Sequence, residues 1–308
     1  NFTASKLRWV QKNEPDVYNK IHKFMLPGDY VAMRLTGSIS TTQSGLSEGV
    51  FWDFKRNKVS DAILSHYEID PALIPEASPT FGVQGEVSSS VARELGLRPG
   101  VPVTYRAGDQ PNNAFSLNVL KPGEIAATAG TSGVVYGVSD QLAHDAKSRV
   151  NTFLHVNHHA SAPRYGILMC INGAGSLNSW LRTQVMQGAA TSYTEMNRLA
   201  EGVPIGSDGL TTLPFGNGSE RIFENKNMGC SVNGLRFNRH GRGHYLRSAQ
   251  EGIAFAFKYG IDIMQNMGLE AQVIRAGKTN MFLNKVFRET LAGITGARIE
   301  LYNTNGGL

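Results

Sequence analysis

Gly108-Asp109-Gln110 places one carboxylate in a glycine turn, and about twenty residues later comes Gly130-Thr131-Ser132-Gly133. A carboxylate can take the proton of an attacking hydroxyl, and a turn rich in backbone N–H groups and hydroxyls can hold an anion. Together they supply what moving a phosphoryl group onto an alcohol requires. Each is weak alone. A Gly-Asp pair is ordinary turn chemistry, and two glycines around Thr-Ser are an ordinary hairpin tip. The nucleophile-elbow pattern around Ser132 would need glycine at 134 and meets Val134, so a serine hydrolase is excluded.

Other candidates are weaker. Gly173 and Gly175 precede a helical pattern, and Gly277 with Asn280 forms a second strand–turn–helix, so either could bring backbone near a nucleotide. Neither fits a dinucleotide fingerprint or a Walker loop. His155, His158 and His159 lack the carboxylate or thiol that would complete a metal-ligand spacing and read as a polar loop.

The elements around these residues alternate between strand and helix, which argues for α/β. Lys6 to Tyr30 reads as helical with a break at Pro15, and Asp29 to Leu35 continues to a stop at Thr36-Gly37. Thr41 to Asp53 reads as loop and short strand. Val101 to Tyr105 reads as an apolar strand, so Asp109 is expected at the carboxyl end of a sheet strand, where open α/β sheets bind ligands. A helix from Pro111 to Leu120 should follow, then a hairpin from Ile125 to Val138. Ile167 to Ile171 and Val273 to Ala276 read as further strands. Helices are expected over Leu177 to Val185, Leu246 to Met267 and Phe282 to Thr290. The domain boundary is placed at 104/105.

With 308 residues, 41% hydrophobic and 18% charged, the chain has the composition of an ordinary soluble protein long enough for two cores. No apolar run approaches a membrane span. The net charge of +5 is mild, and its densest stretch, Arg236 to Arg247, lacks the interleaved aromatics of a nucleic-acid groove. Neither nucleic acid nor membrane is expected as a partner. Cys170 and Cys230 read as buried free thiols, which fits a reducing cytoplasm.

Taken in order, these motifs resemble the FGGY family of carbohydrate kinases, and within it the xylulokinases. Lys6-Leu7-x-Trp9-Val10, Asp29-Tyr30 and Arg34-Leu35-Thr36-Gly37 are similar to its N-terminal-domain elements; Pro214-Phe215 through Ser219-Glu220-Arg221 and Ser248-Ala249-x-Glu251-Gly252 are similar to its C-terminal ones. The resemblance implies a ribonuclease H-like (actin-like ATPase) fold of two domains with a cleft between them, residues 1–104 and 105–308, both incomplete. It implies ATP and Mg²⁺, with a sugar substrate. Asp109 would be the general base and Gln110 would lie beside the substrate hydroxyls. Gly130, Thr131, Ser132 and Gly133 would form the second phosphate motif, and Gly175, Ser179, Gly277 and Asn280 would frame the nucleotide. D-Xylulose, phosphorylated to its 5-phosphate, is the expected substrate, with glycerol and L-ribulose as alternatives and a non-catalytic binding relative as a further one. Whether the protein forms a homodimer stays open.

Three departures stand out. Arg275-Ala276-Gly277 keeps one of the three glycines usual in the adenosine segment, and Ser219 replaces the glycine usual before Glu-Arg. The family's Asp-x-Gly-Thr phosphate and metal segment is expected upstream of Asn1, and further helices beyond Gly306-Gly307-Leu308. The chain is therefore expected to be a piece of a longer enzyme, with little activity alone.

Overall fold

The computed structural model describes residues 2–186 and 191–304; Asn1 and Gly306-Gly307-Leu308 lie outside them. Two compact units emerge from the chain's own packing: residues 1–112 with 153–164, and residues 113–152 with 165–308.

The first unit is mostly helical. Thr3–Asn13 and Pro15–Tyr18 form helices, but the expected run to Tyr30 does not continue, and a new helix, Pro27–Thr36, begins instead. Its start is local chemistry. Pro27 stands at the first helical position, and Asp29 accepts the Leu26 N–H at 3.2 Å. The helix stops, as expected, at Gly37 with φ 78°.

Thr41 to Asp53 is not simply loop and strand: Gln43–Glu48 is a helix whose start is capped by Thr42 Oγ1, accepting the Gly45 N–H at 3.1 Å. Gly45, Ser44 and Ser47 are poor helix formers, and burial of Ser44 to Ser47 overrides their propensity.

The expected strand Val101 to Tyr105 is also corrected. This stretch bonds to residues 82–87, for example Gln84 N–H to Val103 O at 2.8 Å, but makes only isolated bridges. Pro102 has no N–H to donate and Val101 is exposed, so no continuous sheet strand forms. Asp109 consequently opens the helix Asp109–Ser116 rather than ending a sheet strand.

The second unit is built on a six-stranded sheet, in the order Arg298–Tyr302, Val273–Gly277, Glu124–Ala129, Gly133–Ser139, Tyr165–Ile171, Asn151–Leu154. The first three strands are parallel and the central hairpin is antiparallel. One face packs Ile125, Ala127, Val135, Ile167 and Met169 into the main core, while Ala126, Tyr136 and Val138 join Ala114 and Leu117 on the other. A sheet buried on both faces explains why these strands read as near-continuous apolar runs.

The long helix Arg242–Asn266 covers the main core with the expected stripe Ala249, Ile253, Phe257 and Ile261. Ala174–Trp180, Tyr193–Glu201 and Lys285–Thr295 are further helices, and Thr211–Phe215 pairs with Gly229–Asn233 in a small hairpin. Neither cysteine is in a disulfide, but Cys170 is only partly buried and Cys230 is exposed, against the expectation that both are buried. Among the described residues, no helix is long and apolar enough to cross a membrane.

Candidate functional site

Each unit carries a cavity. In the first unit a volume of about 400 Å³ is lined by Asp109, Gly108, Arg106, Glu48 and Asp29, among others. Asp109 is exposed at the start of its helix. The Gln110 backbone N–H donates to Asp109 Oδ1 at 2.8 Å, and Gln110 Nε2 donates to Oδ2 at 3.3 Å. Gln110 thus orients the carboxylate. It does not itself line the cavity, and its buried Oε1 has no partner.

Around Asp109 the wall is rigid. Arg106 and Asp29 form a buried ion pair at 2.7 Å, and the guanidinium also donates to Gln84 Oε1 and to Ser40. Four bonds satisfy a charge that would otherwise be costly to bury. Glu48 Oε1 accepts the Gly108 N–H at 3.2 Å. A Cβ on residue 108 would overlap the Glu48 carboxyl, so any larger residue there would push that side chain aside. Burial above all, with the Asp109 charge adding to it and the Gly108 bond opposing it, pushes the Glu48 carboxyl up to about 7. Tyr105 is pushed up to about 12 by burial and by Glu48. Glu48 and Arg106 were not found in the sequence. Their partners lie 60 and 77 residues away, and no local pattern marks either.

In the second unit a cavity of about 1140 Å³ is lined by Gly130, Thr131, Gly175, Ser179 and Asn280, five of the residues the sequence singled out. Ser132, Gly133 and Gly277 do not line it. Gly133 pairs with Ala129 at the start of its strand, and Gly277 pairs with Tyr302. Gly175 has a packing role. Its N–H donates to Gly130 O at 2.8 Å, Ser176 N–H donates to Thr131 O at 3.1 Å, and a Cβ on 175 would overlap the Gly130 carbonyl. The start of the helix Ala174–Trp180 is thereby docked on the hairpin turn.

The rest of the wall mixes polar residues with Ala129, Met281, Leu283 and two aromatics, Trp180 and Tyr193; Arg182 stacks on Tyr193 at 4.8 Å. Asn197 Oδ1 accepts from Asn284 Nδ2 at 2.7 Å, and Asn284 Oδ1 in turn caps the helix Lys285–Thr295. Asn178 also lines the cavity, and its buried Oδ1 has no protein partner. Of these residues only Asn284 left a trace in the sequence, as a capping type before an apolar helical pattern.

Magnesium is commonly held by one or two carboxylates together with substrate phosphates. Among the described residues no group of three or more His, Cys, Asp and Glu side chains could hold a metal ion. Arg275, at the eroded glycine run, lies outside the cavity and bonds Glu124 at 3.0 Å and Glu300 at 2.8 Å. In the basic stretch, Arg239 and His244 bond Asp208, and Arg247 bonds Glu251.

Comparison with known proteins gives a consistent result. The N-terminal domain of the FGGY family of carbohydrate kinases matches residues 1–116, and its C-terminal domain matches residues 125–307. The xylulose kinase of Escherichia coli (strain K12) is 25% identical over 311 residues, covering 99% of this chain and 61% of that protein. Among solved structures, xylulose kinase from Rhodospirillum rubrum superposes with a TM-score of 0.86 at 26% identity, covering 97% of this chain and 59% of that one. Gluconate kinase from Lactobacillus acidophilus superposes with a TM-score of 0.88 at 21% identity, over 99% of this chain and 61% of that one, a likeness of fold alone. The chain thus spans about three-fifths of the length of each, and it has their two-domain, actin-like ATPase fold.

Proposed function

The chain belongs to the FGGY family of carbohydrate kinases, and from that membership we propose that the protein transfers the γ-phosphoryl group of ATP to a ketopentose, D-xylulose giving D-xylulose 5-phosphate. The observation that carries this reading is Asp109, exposed in a cavity of sugar-sized volume with both carboxylate oxygens oriented by Gln110. Asp109 takes the proton of the terminal hydroxyl as its oxygen attacks phosphorus. ATP, as the second substrate, is assigned to the cavity of the second unit. There Gly130 and Thr131 stand at the hairpin turn, Ser179 and Asn280 contribute polar groups, and Trp180 and Tyr193 offer faces for the base. Ser132, Gly133 and Gly277 act by shaping the strands beside it.

In this reading residues 1–104 are part of the family's N-terminal domain and residues 105–308 part of its C-terminal one. The working place is the cytoplasm. D-Xylulose is preferred to glycerol and L-ribulose because xylulose kinases are among the relatives similar to this chain in sequence.

The test is Asp109→Asn, made in the complete reading frame, in a coupled assay of ADP release with D-xylulose. Sugar and ATP binding are expected to persist while turnover falls by about 10²–10⁴-fold, the usual contribution of a general base. Turnover close to that of the unaltered protein would remove Asp109 from the mechanism.

A further inference from the structure

The cavity of the first unit contains one group that this chemistry leaves unused. Glu48 ends the helix Gln43–Glu48, which is held at its start by the Thr42 cap and at Ser47 by the Leu154 N–H donating to Oγ at 3.0 Å. Beyond Glu48 the chain turns through Val50 at φ 66°, a left-handed backbone that a β-branched residue adopts only under strain. The backbone that carries Glu48 is therefore held in place, and its carboxyl lies against Gly108, the residue before Asp109.

Its surroundings are anionic. Asp29, Glu48 and Asp109 all line the cavity, and the only cation among the lining residues is Arg106. That guanidinium is committed to Asp29, Gln84 and Ser40, and none of its hydrogen bonds reaches Glu48. Glu48 accepts one hydrogen bond among the described residues, from Gly108, which leaves Oε2 for a ligand.

We propose that Glu48 is a second substrate-contacting carboxylate, which takes a hydroxyl of a neutral polyol beside the one taken by Asp109 and turns away sugar acids. The inference rests on the kinase reading above and adds the charge class of its substrate. A hydroxyl donated to a desolvated carboxylate makes a charge-assisted bond, stronger than a neutral one. Above about pH 7, where Glu48 is ionised, an acid brought into the same cavity meets like charge without a free cation to offset it, and such juxtaposition discriminates strongly.

Calorimetry at pH 8 on the unaltered protein, E48Q and E48A, with D-xylulose, L-ribulose, glycerol, D-gluconate and ADP, tests this. E48Q keeps the volume and an acceptor for Gly108 while removing the charge; ADP checks that the second unit is intact. The unaltered protein is expected to bind D-xylulose and to reject D-gluconate. E48Q should bind D-xylulose about tenfold more weakly, a loss of ~1.4 kcal/mol, with a narrower ratio between the two ligands and the same ADP affinity. E48A should lose at least as much. Either variant binding D-xylulose as tightly as the unaltered protein would overturn the inference and leave the kinase reading standing. So would an equal loss for both ligands in E48Q. An unaltered protein that binds none of D-xylulose, L-ribulose and glycerol would overturn the kinase reading and this inference together.

Discussion

A carboxyl buried next to another carboxylate destabilises the fold that holds it, and Glu48 gives that statement a sign and a pH window. Its proton affinity rises from the usual 4.5 to about 7 in the folded chain. Between these values the folded state holds more protons than the unfolded one, so stability falls as pH rises through the window and levels off above about 7. The neighbouring groups do not reverse this: Asp109 adds to the effect, Tyr105 stays neutral, and Arg106 is bound to Asp29. E48Q should therefore melt close to the unaltered protein at pH 5 and several degrees above it at pH 8, a gain of about 1–3 kcal/mol. A difference that is the same at both pH values would show that Glu48 is not strained by charge. At this scale the sequence was legible for Asp109 and for Gly130, Thr131, Gly175, Ser179 and Asn280, which line the two cavities as short motifs suggested. Glu48 and Arg106 were not legible, because each acts through a partner that only the fold brings near.

The elements differ in how much of their cause is local. The hairpin Glu124–Ala129 with Gly133–Ser139 and the helix Arg242–Asn266 follow from periodicity, and both were readable. The helix Gln43–Glu48 runs against propensity, and Arg298–Tyr302 mixes charge with apolar residues in a strand only partly buried, so neither was foreseen. The docking of Ala174–Trp180 onto the hairpin turn depends on one absent side chain. Gly175→Ala would force the helix off the Gly130 carbonyl. The expected cost is about 1–3 kcal/mol of stability and a weaker affinity for ADP, since helix and turn line the same cavity. Thermal melting and calorimetry read the two effects, and an unchanged ADP affinity would separate the contact from the cavity.

For the whole molecule, two compact units with a candidate ligand cavity in each predict two footprints. In hydrogen exchange, D-xylulose should slow amides around residues 45–48 and 106–110. ADP should slow those around residues 130–131, 175–183 and 279–284. Each ligand protecting the other's set would reverse the assignment of sugar and nucleotide.

The three tryptophans are placed unequally with respect to these cavities. Trp52 is 8% exposed and Trp9 is 58% exposed, both in the first unit and outside its cavity lining. Trp180, 49% exposed, alone stands in the wall of the larger cavity, with Tyr193 also lining it. The second unit therefore carries a single tryptophan where its ligand would sit, and light emitted by Trp180 can report occupancy there without a label.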